Sequence, residues 1–173
     1  SAKSAEFRFS HGAGHIIISG GAAPGVALLG SSAIGMNHHD HLSGDRLDVH
    51  IEAGPSFFPF LGPAEGVWRF QLTREIPLDL IVEAGASQID IELMDLLVPH
   101  AQLKTGASNT NVTMPAHGAS VLDVEAGVAS INIRVPENVP ARVSAEQGVS
   151  SINVDTNRFP RSVSGFYQSP NFD

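Results

Sequence analysis

The densest group of side chains able to do chemistry is Asn37-His38-His39-Asp40-His41. Neutral imidazoles and a carboxylate within a few residues can hold Zn²⁺ or another transition metal. The His39-x-His41 spacing would place two ligands on one face of a strand. His11, His15 and His50 could join them if the chain stacks on itself. Against a metal stand the lack of cysteine and of a second spaced ligand pair. The group reads first as a solvated polar loop, with a metal-binding module on His38–His41 as the alternative.

Other chemistry finds less support. Ser87, Ser108, Ser130 and Ser151 recur along the chain, but a serine nucleophile needs one base beside it, and four recurring copies suit corners that favour small polar residues. No repeated carboxylate pair offers an acid and a base. Gly12-Ala13-Gly14 and Gly20-Gly21 have no helix pattern after them and no Gly-Lys-Ser or Gly-Lys-Thr, so they are turns rather than phosphate cradles. Trp68 with Phe57, Phe58 and Phe60 could form a platform for a sugar ring, or could pack into core and loops. The reading is non-enzymatic, with no cofactor and no catalytic, cofactor-binding or metal-ligating residue assigned.

What must position all of these is a ruler of glycines. Gly85, Gly106, Gly127 and Gly148 stand 21 residues apart each time, and a fixed period of this size marks a repeat architecture. Leu80, Ala101, Leu122 and Val143 lie five before the glycine, and Val82, Leu103, Val124 and Ala145 three before. Ile89, Thr110, Ile131 and Ile152 lie four after, and Ile91, Val112, Ile133 and Val154 six after. Between them run polar columns, among them Glu83-Lys104-Glu125-Glu146 and Asp90-Asn111-Asn132-Asn153. Alternation by two is the strand period. Each repeat therefore reads as two short half-buried strands about a glycine corner, a corner expected to need a positive φ. Like residues at like positions favour parallel stacking, in which Asn111, Asn132 and Asn153 form an amide ladder.

The same unit recurs irregularly upstream. Gly12 has Phe7 and Phe9 before it and Ile16 and Ile18 after it; Gly54 has Val49 and Ile51 before and Phe58 and Phe60 after; Gly30 fits less well, with Ile34 and Met36 after it. Trp68, Phe70 and Leu72 alternate with Arg69 and Gln71, which predicts a further strand over 67–73. The expected fold is all-β, one β-helix-like solenoid domain over 1–173 made of stacked short strands. Its rungs are irregular over 4–66 and regular over 67–159, and an aromatic tail over 160–173 caps the last of them.

With 10 Lys and Arg against 18 Asp and Glu, the chain carries a formal charge of −8, which speaks against nucleic-acid backbones and anionic lipid surfaces. No apolar run reaches the length of a membrane span. The chain begins Ser1-Ala2-Lys3 without Met, which reads as a processed or expressed fragment from which a leading segment has been cut.

The repeat phrases also carry a resemblance. Trp68-Arg69-Phe70-Gln71-Leu72, Ile76-Pro77-Leu78-Asp79-Leu80-Ile81-Val82-Glu83-Ala84-Gly85-Ala86, Leu103-Lys104-Thr105-Gly106-Ala107 and Val124-Glu125-Ala126-Gly127 resemble the C-terminal domain of LiaF-like bacterial proteins. The same type is called toastrack, and related sequences are labelled as candidate adhesins or as cell-wall-active antibiotic response proteins. The resemblance implies a β-solenoid-like domain, usually tethered by membrane helices, that works in envelope-stress sensing through protein contacts. It implies no catalytic residues. The expected role is therefore a non-enzymatic interaction or sensory domain of a bacterial envelope-associated protein, the soluble part of a membrane-tethered chain. Its expected partner is another protein, such as a component of membrane stress signalling, or a second copy of itself. An adhesin-like carbohydrate-binding module is the alternative.

Overall fold

The structure, a computed structural model, describes residues 2–32, 35–53, 66–137, 139–154 and 166–172. Among these every regular element is a strand. They are β1 (Ser4–Gly20), β2 (Leu28–Ser32), β3 (Met36–Ser43), β4 (Arg46–Ala53), β5 (Val67–Leu72), β6 (Leu78–Glu92), β7 (His100–Thr113), β8 (Ser120–Arg134), β9 (Ala141–Asn153) and β10 (Phe166–Gln168). The expected Phe58, Phe60 and Ile34 positions and the first part of the tail lie outside the described residues.

From β6 onward the glycine ruler is the register. β6, β7, β8 and β9 pair in parallel, each with its successor, so Ile89 stands beside Thr110, Thr110 beside Ile131 and Ile131 beside Ile152. The two half-strands expected around each glycine are continuous. In β6 the buried side chains are Leu78, Leu80, Val82 and Ala84, then Ser87, Ile89 and Ile91. Alternation slips by one at Gly85 and Ala86, both of which face out. In a straight strand Ala84 and Ile89 would project to opposite faces. Both lie in one core cluster, so the strand turns at its glycine and its two halves enclose a shared interior. The return segments stack as well: Leu93 N–H donates to Thr113 O (2.9 Å), Met114 N–H to Arg134 O (2.8 Å) and Ala116 N–H to Met94 O (3.0 Å). Leu93, Leu96, Val98 and Met114 close the third side of the core.

The turning glycines do not have the positive φ expected of them, which among the described residues belongs to Gly14, Gly21, Gly25, Gly44 and Gly118. Contact between rungs is what demands them. A Cβ on Gly85 would lie 2.5 Å from the Gly12 carbonyl oxygen, one on Gly127 2.9 Å from that of Gly106, and one on Gly106 3.1 Å from that of Gly85. At Gly85, Gly106 and Gly127 the Cα rests on the carbonyl of the rung before, and an added Cβ would crowd it, most at Gly85 and least at Gly106.

The N-terminal half is joined differently. β1 pairs in parallel along its length with β6, from Ala5↔Leu78 to Ile18↔Ile91. Its other edge is taken by two strands end to end: β4 on the first half (Phe9↔Ile51) and β5 on the second (Ile16↔Trp68). Outermost lie β3, antiparallel on β4, and β2, antiparallel on β5. Gly30 therefore does not open a parallel rung. It faces Phe70 across an antiparallel pair, where a Cβ would come within 2.7 Å of the ring. At the far end β10 runs antiparallel on the first half of β9, with Tyr167 opposite Val143. Both ends of the parallel stack thus carry an antiparallel strand.

Candidate functional site

The turning glycines leave a groove on the outside of the bend. It measures about 820 Å³ and is floored by Gly12, Gly85, Gly106 and Gly127. One wall is the polar column just before them: Ser10, Glu83, Lys104 and Glu125, with Glu52 of β4 at the end. Four parallel rungs at ~4.8 Å spacing give a floor on the order of 15 Å long, the reach of a short extended segment. Lys104 lies 3.7 Å from Glu125, and Glu83 accepts the Ser10 hydroxyl at 3.3 Å. Three carboxylates against one ammonium make the wall acidic. These residues sit two before each glycine, so the ruler marks them all, Ser10 and Glu52 included.

Behind the bend lies a polar cluster that the sequence pattern did not single out. His11 is 7% exposed and packs against Trp68 with ring centroids 4.4 Å apart and the planes tilted by 50°. Neither ring nitrogen of His11 has a hydrogen-bond partner among the described residues, nor do Trp68 Nε1 and Ser87 Oγ. Burial pushes the His11 imidazolium below the ordinary histidine range, opposed in part by the Ala13 backbone, which lacks full hydrogen-bond geometry. Two rungs from His11, Thr110 donates to Ser108 Oγ (3.3 Å), which donates to Thr105 Oγ1 (3.0 Å). His11 occupies the column of Ala84, Thr105 and Ala126, and a large polar residue in a small-residue column was its one sequence signal.

The second halves of the strands present the amide ladder. Asn132 Nδ2 donates to Asn111 Oδ1 at 3.2 Å, and Asn111 Nδ2 to Asp90 Oδ1 at 2.9 Å. His15 Nε2 meets Asp90 Oδ2 at 2.6 Å, and Gln88 donates to the same oxygen at 3.2 Å. Asn153 is in register beyond Asn132. Burial alone would raise the Asp90 pKa, but the hydrogen bonds from Asn111, His15 and Gln88 together hold it below the usual carboxylate range.

The remaining expected sites fall out as follows. The four serines do not share one column: Ser87 pairs with Ser108, while Ser130 faces Asn109 and Ser151 faces Ser130. Trp68 is 1% exposed between His11 and Phe70, so it is a core residue and cannot stack a sugar. Phe57, Phe58 and Phe60 lie outside the described residues. The histidine group is an edge strand instead of a loop, because β3 pairs along its length with β4. His39 stands opposite His50, whereas His11 is at the bend and His15 on the second half.

No helix among the described residues is long and apolar enough to cross a membrane. No curated protein matches the sequence. A crystal structure of a "putative cell adhesion protein" from Clostridium sporogenes superposes with a TM-score of 0.83, covering 99% of this chain and 83% of that one at 14% identity. That likeness is one of fold. The model of the family described as the N-terminal domain of toast_rack, DUF2154, matches residues 1–134. With that match over most of its length, and with the bent parallel rungs its glycine period foretells, the chain belongs to the toastrack N-terminal domain family.

Proposed function

We propose that the chain is a non-enzymatic interaction domain of a bacterial envelope-associated protein, one domain over 1–173, that binds a protein partner along the glycine-floored groove. The observation that carries this reading is the groove itself. It is about 820 Å³ in volume, crosses four rungs, has a floor without side chains and has an acidic wall of Glu52, Glu83 and Glu125. A bare floor lets an extended backbone approach closely, and the carboxylates select a segment carrying Lys or Arg. The toastrack family and the adhesion-protein neighbour are compatible with work by contact. A stress-signalling partner and tethering to a membrane belong to the same proposal.

The test is a photo-crosslinker placed in turn at Lys104, on the groove wall, and at Asn132, on the ladder face, in bacteria carrying the full-length protein. One discrete adduct from Lys104 that Glu83→Lys/Glu125→Lys abolishes is expected. Equal adducts from both positions, or none from Lys104, reject the groove.

A second reading, an adhesin-like carbohydrate module, moves from the aromatics to the amide ladder. Trp68 is buried, while Asn111 and Asn132 are exposed hydrogen-bonding groups in a regular row. Glycan-array binding lost on Asn111→Ala/Asn132→Ala would favour it over the groove.

A further inference from the structure

The antiparallel pairing of β3 with β4 sorts the histidines by face. His39 lies opposite His50, and His41 opposite Asp48. On β4, Val49 and Ile51 are buried, so His50 and Asp48 project outward, and His39 and His41 project with them. His38 and Asp40 lie opposite Ile51 and Val49 and take the other side. Directly opposed Cβ atoms are ~5 Å apart, and residues two apart on one strand are ~7 Å apart. Three imidazoles at these spacings can reach one ion at a bond length of about 2.0–2.1 Å. A depression of about 280 Å³ on this face is lined by His39, His41, Asp48 and His50 among others.

In their present rotamers no three such donors converge among the described residues. His50 turns to Ser10 (3.0 Å) and Glu52 (3.5 Å), and Asp48 accepts Arg46 Nε at 2.9 Å. These contacts are part-buried, so a bound ion must displace them in return for its own bonds to the same side chains. His39 and His41 are exposed, so their rings can turn toward His50 while the paired backbone stays in place.

We propose that His39, His41 and His50 form a binding site for a divalent transition-metal ion of the Zn²⁺ type, with Asp48 or water as the fourth ligand. The site is separate from the protein-contact reading and shares no ligand residue with the glycine groove. A bound ion would tie the edge strand β3 to β4, and through β4 to the rest of the stack. Imidazole nitrogen is a borderline donor that favours Zn²⁺, Ni²⁺ and Cu²⁺ over Mg²⁺ or Ca²⁺.

The test is calorimetric titration of untagged, chelator-treated protein with Zn²⁺. One saturable equivalent is expected. His39→Ala, His41→Ala and His50→Ala should each weaken binding at least about tenfold, and His38→Ala should leave it unchanged. The His38 control separates an ordered face from a loose histidine cluster. Absence of saturable binding, or a His38→Ala loss equal to that of His39→Ala, overturns the proposal. Should His50→Ala unfold, the visible spectrum of the Co²⁺-loaded native chain decides without a variant: four-coordinate intensity supports the site, and a weak six-coordinate band or none rejects it.

Discussion

The rungs from β6 to β9 and those from β1 to β5 build one core by opposite means. In the first set every strand pairs with its sequence successor at a constant shift. In the second, β1 takes neighbours from three separate stretches, and two outer strands run backwards. What both preserve is the inward column. Phe9 stands between Ile51 and Val82, and Ile16 between Trp68 and Ile89. The filling differs accordingly. Uniform rungs stack branched aliphatic residues such as Leu122, Val124, Ile131 and Ile133, while the mixed rungs fill their interior with Phe7, Phe9, Trp68 and Phe70. Connection order is free to vary as long as the interior columns are met, because burial is non-directional and backbone pairing accepts either strand sense.

The largest effect should come from the aromatic side. Trp68→Ala removes the biggest fully buried side chain and should destabilise the protein by about 3–5 kcal/mol, read as the midpoint of urea unfolding. A loss of stability of less than about 1 kcal/mol would mean that the N-terminal rungs contribute little to the cooperative unit.

Next come the glycines, which separate rung contact from backbone conformation. Gly85→Ala places a Cβ against the Gly12 carbonyl, a backbone atom with no room to yield, and should cost about 1–3 kcal/mol. Gly12→Ala, in the same column, meets nothing within 4 Å and should stay within about 0.5 kcal/mol. Equal losses at the two positions would show that the bend itself, rather than stacking, requires glycine.

A pH dependence divides the two regions further. The folded pKa of His11 lies below its unfolded value of 6.5. Between the two values the unfolded chain binds more protons, so stability is full above about pH 6.5 and declines as pH falls through that window. In Leu-substituted protein (His11→Leu) this part of the decline should vanish, which thermal melts across about pH 5–7 would reveal. Parallel curves for parent and variant would remove His11 as the cause. Asp90 acts lower: its folded pKa is depressed below 3.8, so its contribution is present above that value and lost as pH falls through the folded pKa.

Legibility in the sequence follows the same division. The flanking of Ile131 by Thr110 and Ile152 could be read from spacing alone, because one period repeats without interruption. The reversal of β2 could not, since alternation by two is the same in both strand directions; only the poorer fit of Gly30 to the repeat unit hinted at it. The groove-wall residues Ser10, Glu52, Glu83 and Glu125 all sit two before a glycine, but the ruler showed only a polar column there and no groove. It did not reveal why glycine is required, because contact between rungs is a property of stacking and not of local spacing. It does separate Ser87, two after its glycine, from Ser130, three after, but the slip in alternation at each bend decides which of those columns faces in.

The smallest expected effect lies in the amide ladder, and it joins the two regions. The row runs from Asn132 through Asn111 to Asp90, and Asp90 is met by His15 of β1. Asn111→Ala removes two side-chain hydrogen bonds and Asn132→Ala one, all on the exposed face, so costs of about 1 and about 0.5 kcal/mol are expected. If the row acts as a chain of polarised bonds, truncation at Asn132 should weaken the His15–Asp90 contact two rungs away. A double-mutant cycle pairing Asn132→Ala with His15→Ala measures this directly. Additive costs would mean that each bond stands alone and that the irregular rungs gain nothing from the regular ones through this face. A coupling above about 0.5 kcal/mol would make the ladder a link between the two halves of the stack.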